Sequence, residues 1–139
     1  DGVTGVQTCA LPIYQETVLI VDDEAVILQI AKDILLESNY QVLCASDGIE
    51  ALDIYKDKMN DIKLVVLDML MPKKSGRDTF IELKALNPEV KVLLCSGFKK
   101  DERVEEIMSL GINHFIQKPY TLHKLSKMVY DILKGNSSQ

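Results

Sequence analysis

Residues Thr17–Glu37 read TVLIVDDEAVILQIAKDILLE, and a change of period inside this stretch decides the fold. Thr17–Val21 is a short run of mainly β-branched apolar residues, the pattern of a strand buried on both faces. Acids follow it directly. From Glu24 to Glu37 the period becomes helical, with Ile27, Ile30, Ala31, Ile34 and Leu35 at helical spacing. A buried strand running into an amphipathic helix is half of a βαβ unit.

The same alternation recurs along the chain. Gln41–Ala45 (QVLCA) predicts a second strand, and Asp47 caps a helix over Gly48–Lys58 with Ala51, Leu52 and Tyr55 inward. Leu64–Leu67 (LVVL) predicts the third strand. Ser75 caps a helix through about Leu86 that must end before Pro88. Lys91–Cys95 (KVLLC) predicts the fourth strand, and Asp101–Leu110 a short helix ended by Gly111. Ile112–Gln117 predicts the fifth strand. Thr121 caps a last helix over Leu122–Leu133, with Gly135 just beyond its end. Regular alternation of this kind predicts an α/β fold, a parallel sheet with helices on both faces. In such sheets ligands bind beyond the carboxyl ends of the strands.

The whole chain fits one domain. It has 139 residues, 47% of them apolar and 27% charged, an ordinary globular balance. The net charge of −5 argues against direct nucleic-acid binding, which needs a basic stripe. No apolar run approaches the ~18 residues of a membrane span. Cys9, Cys44 and Cys95 form no CxxC pair and no Cys/His cluster. Cys44 and Cys95 lie in apolar runs and are expected to be small buried hydrophobes of a cytoplasmic protein.

Residues 1–13, DGVTGVQTCALPI, have no periodicity and lack the basic start and apolar stretch of a signal peptide. They resemble the translation of a sequencing adapter. The expectation is a non-native leader over 1–13, poorly packed, and a single functional unit over 14–139. Cys9 and Pro12 then carry no function.

Polar residues stand where each strand ends: Asp22 and Asp23 after the first, Asp68 after the third, Ser96 after the fourth, Lys118 and Pro119 after the fifth. Each has a bland reading as a cap or turn residue. Together, at the ends of four strands, they converge on one edge. Three carboxylates at short range repel one another. A hard divalent cation relieves this, and an oxygen site of one or two carboxylates suits Mg²⁺. Lys118 adds a point charge and Ser96 a hydroxyl. Such a set is equipped for phosphoryl transfer, in which a carboxylate can be the nucleophile.

The motifs VLIVDDE, LVVLDMLMPKKSG, LLCSG and FIQKPY, in this order and spacing, resemble the receiver domains of two-component response regulators. The resemblance runs from Glu16 to about Leu133. It implies a flavodoxin-like (βα)5 three-layer sandwich with strand order 2-1-3-4-5. It implies that Asp68 accepts a phosphoryl group from the phosphohistidine of a histidine kinase or histidine phosphotransfer protein. Asp22, Asp23, Asp68 and the backbone carbonyl of Leu70 would hold Mg²⁺. Lys118 would contact the phosphoryl group, Ser96 would be the switch hydroxyl, and Phe115 the aromatic residue that follows it inward. Pro119 would follow a cis peptide. The margin of the first helix would dock a kinase, and the 101–133 face would meet a second copy or an effector. The product would be a phosphoprotein of bacterial signal transduction and not a turnover enzyme.

Leu70 and Phe98, two residues after Asp68 and Ser96, flank the approach of hydrolytic water in that arrangement. Both are apolar and predict a long-lived phosphorylated state. Leu70 also counts against an aspartyl phosphohydrolase, which carries a second acid there. No GxGxxG or GxxxxGK[ST] appears, which argues against a nucleotide module. The intact set of Asp22, Asp23, Asp68, Ser96 and Lys118 argues against an unphosphorylated pseudo-receiver. The stretches ETVLIVDDE and LLCSGF, with the adapter-like leader, favour the C-terminal receiver of a hybrid histidine kinase over a stand-alone receiver. His114 and His123 are expected to face solvent or cap a helix, and the charged run Lys99–Arg103 to be the solvated start of a helix.

Overall fold

The computed structural model describes residues 16–97, 105–106 and 108–135. Five parallel strands form one sheet: β1 (Thr17–Val21), β2 (Gln41–Ala45), β3 (Ile62–Asp68), β4 (Val92–Ser96) and β5 (His114–Gln117). Their spatial order is β2-β1-β3-β4-β5, the 2-1-3-4-5 order expected. Four helices are described end to end: α1 (Ala25–Glu37), α2 (Gly48–Lys58), α3 (Gly76–Leu86) and α4 (Leu122–Leu133). Glu105, Glu106 and Met108 are helical too. The leader, Phe98 and most of the 101–110 helix lie outside the described residues.

Strand alternation assigns the core to two layers. Leu19, Val21, Val65 and Leu67 face α2 and α3, where Leu52, Tyr55, Phe80 and Leu83 close the layer. Val18, Ile20, Leu64 and Val66 face α1 and α4, where Leu35, Leu125 and Val129 close the other. Burial of each such side chain contributes about 1.5–3 kcal/mol. Because β1 and β3 are buried on both faces, neither shows a polar alternation.

The predicted caps form. Asp47, Ser75 and Thr121 accept hydrogen bonds from the amides of Glu50, Asp78 and Lys124 at 2.8, 3.1 and 3.1 Å. Gly111 and Gly135 follow their helices in the left-handed region. Several boundaries move. β3 begins at Ile62, ahead of the expected Leu64, because a register shift against β1 accommodates Lys63. β4 runs from Val92 to Ser96, one residue later than expected. β5 begins at His114, not Ile112. Helix α1 begins after Glu24, whose amide donates to Asp22 Oδ1 at 2.9 Å.

Three side-chain expectations also change. Ile30 is exposed on α1, whose buried residues are Ala31, Ile34 and Leu35. Cys44 is half-buried, because β2 is an edge strand, whereas Cys95 is buried on β4. His114 sits half-buried on β5 with its Nδ1 enclosed and unbonded, while His123 is exposed on α4 as expected. Among the described residues no helix is long and apolar enough to cross a membrane.

Candidate functional site

Register alone brings the strand-end residues together. Val21 pairs with Leu67, so Asp22 and Asp68 leave the sheet side by side. Asp68 pairs with Cys95 and Ser96 with Gln117, so Ser96, the last residue of β4, and Lys118, just after β5, stand one step further on. The Lys118 amide donates to the Ser96 carbonyl at 2.7 Å. The Lys118–Pro119 peptide is cis, as expected.

Asp22, Asp68 and Ser96 are buried, at 3%, 6% and 1% exposure, whereas Asp23 is open to solvent. Lys118 Nζ donates to Asp22 Oδ2 at 2.7 Å and lies 3.2 Å from Asp68 Oδ1 and 3.6 Å from Glu24 Oε1. Asp22, Asp23 and Asp68 each present an oxygen within 4.8 Å of the others. A cleft of about 440 Å³ opens over them, lined by Asp23, Glu24, Asp68, Leu70, Ser96, Gly97 and Lys118. Leu70 stands at this cleft, 56% exposed. Phe115 does not line it; it pairs with Leu94 and packs half-buried against the α2–α3 layer.

Electrostatics follow from this crowding. Burial, then the charge of Asp22, pushes the Asp68 carboxyl up to about 6, and Lys118 only partly offsets them. Burial works against the Lys118 ammonium, but its hydrogen bond to Asp22 and the charges of Asp68 and Asp22 outweigh it and hold Lys118 above its ordinary value. Burial also pushes the Cys95 thiol up, which keeps it protonated and unreactive. One cation faces three carboxylates in a partly dry cleft. This acidic pocket could bind a metal ion, and hard oxygen donors suit a hard divalent cation.

The β3–α3 loop holds residues that the sequence reading did not single out. Lys73 adopts φ 69°, in the left-handed region, and the Lys74 amide donates to the Pro72 carbonyl at 2.7 Å across it. Lys73 Nζ lies 3.5 Å from Asp47 Oδ2, tying the loop to the start of α2. A Cβ on Gly48 would stand 2.1 Å from the buried Thr79 Oγ1, so α2 and α3 approach closely there. The Pro72-Lys73-Lys74-Ser75-Gly76 run marks a turn, but only the three-dimensional contacts show what it holds.

The chain matches the profile of the response regulator receiver domain over residues 18–130. It belongs to that family. Receiver domains are signalling proteins of two-component systems. The chemotaxis protein CheY of Thermotoga maritima is 36% identical over 118 residues, covering 79% of this chain and 97% of that protein. The sensor kinase CckA of Brucella abortus is 30% identical over 118 residues, covering 85% of this receiver but 12% of the kinase. The CheY chain in the CheX–CheY–BeF3–Mg²⁺ complex of Borrelia burgdorferi superposes with a TM-score of 0.79 at 28% identity, covering 84% of this chain and 87% of that one.

Proposed function

We propose that this receiver takes a phosphoryl group from a phosphohistidine onto Asp68 and changes its binding surface in response. The observation that carries the reading is Lys118 Nζ bridging Asp22 and Asp68, at 2.7 and 3.2 Å, beside a third carboxylate. Asp22, Asp23, Asp68 and the Leu70 carbonyl hold Mg²⁺ in this reading. The CheY–BeF3–Mg²⁺ relative supports that ion choice. Bound there, the ion supplies positive charge that relieves the carboxylates and neutralises phosphoryl oxygens.

The chain's own groups do the rest. A carboxylate oxygen of Asp68 attacks phosphorus, a P–O bond forms, the P–N bond to the donor imidazole breaks, and the imidazole leaves with a proton. Lys118 exchanges part of its contact with Asp68 for a phosphoryl oxygen. Ser96 donates its hydroxyl to another, and Phe115 moves with it. That change passes to the 101–133 face, which meets a second copy or an effector. The margin of α1, where Val26 and Ile30 are exposed, receives the histidine-bearing partner. This is a cytoplasmic switch, not a turnover enzyme. The match to part of a sensor kinase supports a hybrid-kinase context, and the match to nearly all of CheY supports a stand-alone one.

The test is incubation with acetyl phosphate and Mg²⁺, followed by intact mass. A gain of about 80 Da, the mass of one phosphoryl group, is expected. It disappears in Asp68→Asn. A gain that survives the substitution refutes the assignment.

A further inference from the structure

Gly76, the first residue of α3, lies directly against the backbone of Asp68 and Met69. A Cβ on Gly76 would stand 2.4 Å from the Asp68 carbonyl oxygen and 2.8 Å from Met69 Cα. Both are backbone atoms, so neither can swing aside. The Gly76 amide donates to the Met69 carbonyl at 2.9 Å. From the other side, the Met69 amide donates to the Cys95 carbonyl, also at 2.9 Å. The Asp68–Met69 peptide is therefore held between β4 and α3.

Conformation does not require glycine here. Gly76 is helical, and among the described residues the positive-φ glycines are Gly111 and Gly135. Glycine weakens a helix relative to alanine, and Ser75 already caps α3. Space is the remaining reason: only a residue without Cβ lets α3 rest on the Asp68 peptide.

We infer that Gly76 is a positioning residue for the Asp68 carboxylate, acting through the backbone it touches. The inference rests on Asp68 being the acceptor. A methyl group at position 76 must widen the 2.4 Å gap to the 3.4 Å of an ordinary contact, a parting of about 1 Å. Lys118 comes from β5 and does not move with α3, so the parting misaligns Asp68 with its cation. Displacements of that size can lower a rate by up to about 100-fold.

The test compares wild type, Gly76→Ala and a control, Val129→Ala, whose cavity lies in the opposite layer. Thermal midpoints and acetyl phosphate rate constants at saturating Mg²⁺ are measured for each. Both variants are expected to melt earlier. Only Gly76→Ala is expected to slow per folded molecule, by about 10- to 100-fold. An unchanged rate in Gly76→Ala, with wild-type labelling still dependent on Asp68, overturns the inference and leaves the acceptor assignment standing. Absence of labelling in the wild type overturns both. Amide exchange in the unmodified protein tests the contact on which the inference rests, even if Gly76→Ala does not fold. The Gly76 amide is expected to be as protected as that of Met69, unlike the usual unpaired amides of a first helical turn. Fast exchange at Gly76 overturns the inference.

Discussion

Lys118 Nζ stands 3.2 Å from Asp68 although β3, which ends in Asp68, and β5, which Lys118 follows, are not paired. The lysine crosses the end of β4, where the Ser96 carbonyl accepts its backbone amide. Its shorter contact, 2.7 Å, is with Asp22. Asp68 is thus the less compensated of the two buried acids, which is why burial and Asp22 together can push it up to about 6.

Asp68→Asn should stabilise the protein in a pH-dependent way. The folded carboxyl titrates near 6 and the ordinary one at 3.8, so the native state binds more protons between these values. Stability contributed at this position therefore falls as pH rises across that window. The neutral isostere should be more stable than wild type above pH 6, by on the order of 1–3 kcal/mol. The gain should fade as pH falls towards 4. Urea unfolding at several pH values measures it, and a pH-independent difference would contradict the electrostatic account.

Millimolar Mg²⁺ should raise the melting temperature of the wild type. Binding to the folded state alone adds about 2.7 kcal/mol at a hundredfold excess over the dissociation constant. The increment should shrink in Asp22→Asn and in Asp68→Asn, since each removes a ligand charge. A thermal scan with and without the ion checks this; no response in the wild type counts against an assembled acidic site.

Leu70→Asn should shorten the phosphorylated state. Leu70 is apolar and 56% exposed beside Asp68, where it sheds water and cannot orient it. Asparagine can do the latter. Decay of the phosphorylated species, followed by mass after removal of the donor, should be faster in the variant. Equal decay would leave the side chain without a role in lifetime.

Ser75→Ala should cost about 1 kcal/mol, the usual value of a lost N-cap. Its hydroxyl accepts the Asp78 amide at 3.1 Å. Denaturant midpoints report the loss.

The fold was legible because the strand cores are continuous apolar runs and the caps are unambiguous. Thr17–Val21, Gln41–Ala45, Gly48–Lys58 and Leu122–Leu133 form with the boundaries their sequences predict. Boundaries failed where pairing overrides composition. Lys63 joins β3 because the register shift against β1 absorbs it. Ile112 is buried like a strand residue yet precedes the β4 pairing, which begins at His114. Asp22, Asp23, Asp68, Ser96 and Lys118 could be placed on one edge from alternation alone. Gly76 and Lys73 could not, nor could the pairing of Lys73 with the cap residue Asp47, because these contacts join elements far apart in sequence. His114 was misread for a similar reason: nothing in its neighbours tells a solvated imidazole from one half-buried on the sheet with its Nδ1 enclosed.

Asp68 ends the central strand of the sheet, and the strands on its two sides are not equivalent. β1 is laddered along its full length by β2 on one side and β3 on the other. Across β4, the plate ends in a four-residue margin, β5, that among the described residues has a neighbour on one side only. In the proposed reading, chemistry at Asp68 reaches Phe115 and Lys118 across a single strand, β4, at the shorter of the sheet's two margins.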